Sequence, residues 1–211
     1  MPSKSVRDLP VVDATLLPAE VRALLRPCDM VRDRHGAEHP LPHWFYEVDS
    51  WETALETAVA PNFLLWEFMT IDVREAEWFR HRFPRYIPCA ITSLAAALQV
   101  VRNTVGTYVH IAANGGYRSP AHQLSRNASR HCWGSAVNIY RVGDDWLDSR
   151  DTIARYAAIA RGALPAAWIR PYGEGEGLAD DHLHVDLGYV TVRPTDEAPD
   201  SASGNETGAA A

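Results

Sequence analysis

The amino-acid sequence predicts one mixed α+β domain, and three features carry that expectation. The chain's 211 residues are 46% hydrophobic, enough for a single sizeable core. Residues 91–104 place Leu94, Leu98 and Val101 at helical spacing, and residues 149–164 read as a second helix behind a Ser149 or Asp148 cap. Three shorter stretches, 108–113, 135–142 and 182–187, are β-rich or alternate apolar with polar residues, which is the spacing of a strand with one buried face.

The remaining elements follow in chain order. A short helix is expected over 17–26, with Pro18 near its start, and another over 50–59, where Ser50 can accept from the first free amides. Between them lies HGAEHPLPHWFYE. Its His35, His39 and His43 have a four-residue spacing, but Pro40 and Pro42 forbid the helix that would align them. A surface loop packed by Trp44, Phe45 and Tyr46 is expected. Residues 63–83 are aromatic and mixed, helical in part, and Gly106 stands where the 91–104 helix should stop. A strand, a glycine-rich hairpin loop and a final strand are expected after residue 165. Residues 1–60 are read as an N-terminal extension packed on a domain at 61–192, and the small, polar 193–211 as a disordered tail.

Charge and composition narrow the function. A net charge of -7 and the lack of any Lys/Arg run argue against a nucleic-acid partner. No stretch reaches the roughly 18–20 apolar residues of a membrane span. Asp8, Pro10, Asp13 and Pro18 interrupt every apolar core that a secretory leader would need, so a cytoplasmic protein is expected. Cys28, Cys89 and Cys132 are odd in number and far apart, and are read as free, buried thiols.

Three segments hold residues suited to chemistry. In HLHVDL, a strand points His182, His184 and Asp186 to one face and Leu183, Val185 and Leu187 to the core. In SRHCWGSAVNIY, His131 precedes a strand on which Ala136, Asn138 and Tyr140 share a face, and Gly134 permits an unusual turn. In NGGYRSPAH, Arg118 sits in a turn where a guanidinium can take a carboxylate through paired hydrogen bonds. His110, Cys132 and the tryptophans 133 and 168 read as core or pocket-wall residues.

Taken together and in this order, the three segments resemble the SGYRSP, SxHxxGxAxD and DxHxH elements of peptidase family M15, the D-alanyl-D-alanine carboxypeptidases and dipeptidases. The resemblance covers roughly residues 62–188. It implies a Hedgehog/DD-peptidase-like α+β fold, a small antiparallel sheet with flanking helices. It also implies a Zn²⁺ held by His131, Asn138 and His184, with Asp181 as general base and His182 beside the scissile carbonyl. Arg118 would hold the substrate's terminal carboxylate, in a pocket shared with Tyr117, Ser125 and Trp133. The substrate class implied is a small peptide or cell-wall fragment. Where the family has aspartate this chain has Asn138, a neutral donor. Two alternatives follow: a relative that binds such a fragment without cleaving it, or a two-histidine, one-carboxylate iron site using Asp181.

Overall fold

The computed structural model describes residues 4–174 and 179–194. It is a mixed α+β molecule of small, mainly antiparallel sheets and a few helices. The elements, in chain order, are β1 (Lys4–Ser5), β2 (Val11–Asp13), α1 (Ala19–Leu25), β3 (Met30–Arg32), β4 (Glu38–Pro40), β5 (Trp44–Val48), α2 (Trp51–Glu56), β6 (Thr57–Ala60), β7 (Phe63–Leu64), α3 (Glu77–His81), β8 (Arg85–Pro88), α4 (Ile91–Val105), β9 (Val109–Ile111), β10 (Ala136–Val142), β11 (Asp145–Trp146), α5 (Arg150–Ala163), β12 (Trp168–Ile169) and β13 (Leu183–Asp186). No helix among the described residues is long and apolar enough to cross a membrane. The expected tail at 193–211 lies outside the described residues from 195 onward, as does most of the glycine-rich loop at 175–178.

The principal sheet is built around β10, which pairs antiparallel with β9, β11 and β13, while β13 pairs in turn with β12. Its apolar residues Val137, Ile139, Leu183 and Val185 are buried, and α4 and α5 pack on one another and against these strands. Helix α4 presents Leu94, Ala95, Leu98 and Val101 to the core, and Gly106 ends it in the left-handed conformation at φ 68°. Ser149 Oγ accepts from Thr152 N–H and starts α5 as expected.

Two expectations for the first 60 residues are corrected in detail. The helix behind Ser50 stops at Glu56, because Thr57–Ala60 turns into a strand that pairs with β1 and β7. The histidine-containing stretch is an antiparallel β3–β4 hairpin followed by a strand, β5, in place of a loop. Strand β5 is the centre of a second sheet, with β2 on one side and β8 on the other. Residues before and after position 60 therefore share a sheet. They also share one core, which joins Val6, Leu25, Phe45 and Val48 to Leu94, Val137 and Val185.

Candidate active site

Strand register decides which side chains meet. Asn138 lies directly opposite His184 across β10 and β13, and their neighbours Val137, Ile139, Leu183 and Val185 fill the opposite, buried face. The period of two therefore leaves an amide and an imidazole side by side over a cleft. His184 Nδ1 lies 2.8 Å from Asn138 Oδ1, and its Nε2 edge faces the buried Asp186 at 3.7 Å. Trp168 on β12 packs its ring edge against His184 at 5.6 Å.

His131 reaches the same place by another route. It sits in a tight 3-10 turn, Arg130–Trp133, rather than on extended chain, and Gly134 closes that turn at φ 65°. His131 Nδ1 donates to Gly116 O at 2.8 Å, which leaves Nε2 for the cleft. Its ring centroid is 5.3 Å from that of His184. Burial lowers the pKa of both rings, the charge of Arg118 adds to the effect, and for His184 the neighbouring Asp186 opposes it, so both are neutral at neutral pH and the lone pair of His131 Nε2 is left for the cleft.

Arg118 is carried by a turn that the rest of the chain holds from several sides. Asn138 donates its N–H to Gly115 O and accepts from Ala112 N–H, Asn114 N–H reaches Thr70 O, and Tyr117 N–H reaches Phe68 O. Gly116 is required there: a Cβ would stand 2.4 Å from Phe68 O. Glu75, itself buried, accepts from Ser119 N–H at 3.0 Å and from Ser119 Oγ–H at 2.5 Å, which anchors the far end. Arg118 is 7% exposed, and its Nε has no partner among the described residues. Burial pushes its pKa down to about 10, so it stays charged at neutral pH. A buried donor without an acceptor costs about 1–3 kcal/mol, more when charged, which an incoming anion relieves.

Asp181 ends a 3-10 turn just before β13 and donates no rigidity of its own, being 70% exposed. Its Oδ1 accepts from His182 Nδ1 at 2.5 Å, and His182 Nε2 in turn accepts from Arg170 at 3.0 Å. Burial lowers the His182 pKa, which Asp181 opposes and Arg170 reinforces.

These groups line one cleft of about 550 Å³, whose walls include Arg74, Asn114, Arg118, His131, Asn138, Arg170, Asp181, His182 and His184. That size suits a small ligand. Arg118 and Arg170 line this wall with the single carboxylate of Asp181, while the charge of Arg74 is paired with Asp72 at 2.6 Å. A larger groove of about 1050 Å³ runs past Ser5–Val11 and Ala58–Pro61, with Arg7 and Asp8 its charged side chains among the described residues.

Six of the nine expected residues, Arg118, His131, Asn138, Asp181, His182 and His184, therefore meet in one place. Tyr117, Ser125 and Trp133 do not line the cleft. Tyr117 is buried against the opposite side of its turn, beside Glu75 and Arg85. Ser125 Oγ donates to Ser119 O, and the indole N–H of Trp133 donates to Pro40 O, locking the 3-10 turn to the β4 hairpin. Among the described residues no group of three or more His, Cys, Asp or Glu side chains is arranged as a metal-holding set. Of the cysteines, Cys89 and Cys132 are buried and Cys28 is exposed. Arg74, Arg170 and Asn114 escaped the sequence reading. Only Asn114 carries a local signal, an Asn-Gly turn step, and it indeed adopts φ 58°.

The chain matches no family model, no curated protein and no solved structure. Its function is argued from the geometry above.

Proposed function

We propose that this cleft is the active site of a metal-dependent peptidase or amidase that hydrolyses a small peptide with a free C-terminal carboxylate, of D-alanyl-D-alanine type. The reading is carried by one observation: His131, Asn138 and His184 share a single cleft with Arg118, whose Nε has no partner among the described residues. The donor set suits a zinc ion. His131 is braced through Nδ1 by Gly116 O and offers Nε2, while His184 Nδ1, which donates to Asn138 Oδ1 in this state, would become a donor to metal once its proton moves to Nε2, the nitrogen that faces Asp186. When bound, zinc supplies a Lewis acid for the scissile carbonyl and an acidified water. Arg118 binds and orients the terminal carboxylate. Asp181, held by His182, is the group placed to take a proton from water, and Arg170 brings positive charge to the same wall.

A second reading, binding of such a peptide without cleavage, is favoured by Asn138 itself. A neutral amide oxygen is a weaker zinc donor than a carboxylate, and in this state it is satisfied by the His184 ring. Zinc titration of the protein and of Asn138→Asp, paired with amine release from D-alanyl-D-alanine, separates the two. The hydrolase reading expects zinc uptake by both, at least about tenfold tighter in Asn138→Asp, with hydrolysis that Arg118→Gln abolishes. Uptake by the variant alone, with peptide binding but no hydrolysis by the parent protein, establishes the binding reading.

A further inference from the structure

The open face of the principal sheet continues past the cleft. Ala112 and Asn138 line the cleft side by side, their backbones joined by the bond from Ala112 N–H to Asn138 O. Two residues further on along each strand, about 7 Å in extended chain, come His110 on β9 and Tyr140 on β10. Ile139 pairs with Ile111 but Arg141 pairs with His110, so Tyr140 is an extra, bulged residue of β10. Tyr140 and Arg141 are both half-buried between the buried Ile139 and Val142, and the bulge thus keeps two consecutive side chains out of the core. Trp146 on β11 lies directly opposite Arg141.

Four rings form a row on this face. Tyr108 and His110 have centroids 6.0 Å apart, His110 and Tyr140 6.0 Å, and Tyr140 and Trp146 5.4 Å. Arg102 stands over Tyr108 at 4.6 Å and Arg141 over Trp146 at 5.7 Å, while an Arg141 N–H donates to His110 Nε2 at 3.0 Å. Held in this way, Tyr108 is still 63% exposed and Trp146 55% exposed. Aromatic surface gathered in a row and left to water marks a contact site.

We propose that this ledge is a saccharide subsite, on which a sugar ring attached to the peptide substrate lies with its C–H face against Trp146, Tyr140 and Tyr108. The inference rests on the reading of the cleft as a peptidase site and names what the substrate carries beyond its peptide. A pyranose has a face of slightly positive C–H bonds and a rim of hydroxyls. Tyrosine and tryptophan rings match both, with negative π faces and polar tips. Such rings are rigid, so contact costs little conformational entropy. Four rings are small beside the roughly 800 Å² per partner of a stable protein interface, which favours a sugar over a protein.

The test titrates a pentapeptide ending in D-alanyl-D-alanine, with and without N-acetylmuramic acid on its N-terminus, calorimetrically into the full chain with a chelator present to prevent turnover. The trimer of N-acetylglucosamine, which carries no peptide, reads the ledge alone. The parent protein should bind the sugar-bearing peptide at least about tenfold more tightly than the bare one. Trp146→Ala and Tyr108→Ala, at exposed positions, should retain their circular dichroism, lose that gain and lose the trimer, while binding the bare peptide within twofold of the parent. Arg118→Gln should lose the bare peptide and keep the trimer. If the sugar adds less than twofold in the parent, or its gain survives in both ledge variants, the subsite is overturned and the cleft reading stands. If the bare peptide binds regardless of Arg118, or does not bind, while the trimer still depends on Trp146, the cleft reading fails and the ledge remains a saccharide site. Self-association of the parent that both ledge variants abolish, with no binding of the trimer, assigns the ledge to a protein contact and overturns the proposal.

Discussion

Arg118 and His122 show how a single residue's surroundings determine what it can do. Arg118 lies in a desolvated wall with an unpaired Nε, so its worth is in geometry as well as charge. Arg118→Lys retains the charge but loses the fork, and should weaken binding of a carboxylate probe by roughly 1–3 kcal/mol in calorimetry. His122 is buried between Asn114 Oδ1 and Leu124 N–H, with Arg118, Arg74 and Asp72 around it. Burial, followed by the repulsion of Arg118, pushes its pKa down to about 4 from 6.5. The unfolded chain therefore binds a proton in this interval that the folded one refuses. Stability conferred by neutral His122 is complete above pH 6.5 and is lost as pH falls toward 4, on the order of 3 kcal/mol. Asp72, held well below the usual carboxylate range by Arg74, contributes stability that is lost only below its unfolded value of 3.8. Urea midpoints measured from pH 7 to 4 should fall through the histidine window, and less steeply for His122→Gln.

At the scale of the element, the turns that carry functional groups tolerate little change. The close approach of Gly116 to Phe68 O leaves no room for a methyl group against backbone. Gly116→Ala should cost about 2–4 kcal/mol in urea denaturation and also disturb the His131 Nδ1 bond to Gly116 O. Ser149→Ala, which removes the cap of α5 far from the cleft, should cost about 1 kcal/mol and leave probe binding unchanged. The contrast between α5 and α2 shows where local reading succeeds. Both begin at a serine cap, but α2 gives way at Thr57 to a strand, because Thr57 and Ala58 pair with Lys4 and Ser5 of β1, and Ala58 and Ala60 with Leu64 and Phe63 of β7, partners that the linear pattern does not reveal.

Across the whole molecule, the first 60 residues are structural rather than appended. Strand β2 is an edge of the sheet that includes β8, and Val6, Leu9 and Ala14 belong to the common core. Deleting residues 1–13 removes β1, β2 and the burial of Val6 and Leu9, worth about 1.5–3 kcal/mol for each side chain. A loss of about 3–6 kcal/mol is a large part of the 5–15 kcal/mol that holds a typical domain folded. The truncated chain should show a lowered urea midpoint and reduced soluble yield. The N-terminal hairpin also reaches the cleft's support, since Pro40 O takes the Trp133 indole N–H at the end of the His131 turn.

The sequence by itself determined the class of the fold, the places of α4, α5, β10 and β13, and six residues of the cleft. Helical and strand periods, serine caps and a terminal glycine act over a few residues, so they can be read from a linear chain. Asn138 and His184 were likewise legible as inward or outward facing, because alternation along a strand is local. Only the tertiary structure decided that they stand opposite one another, that His131 arrives from a 3-10 turn, and that Arg170 and Asn114 complete the wall. It also turned Tyr117, Ser125 and Trp133 away to packing and turn bonds. The physical reason is range: most of these placements depend on hydrogen bonds and buried contacts between separate segments, from the 12 residues between Arg170 and His182 to the 46 between Asn138 and His184, whose energy exists only once the core has closed.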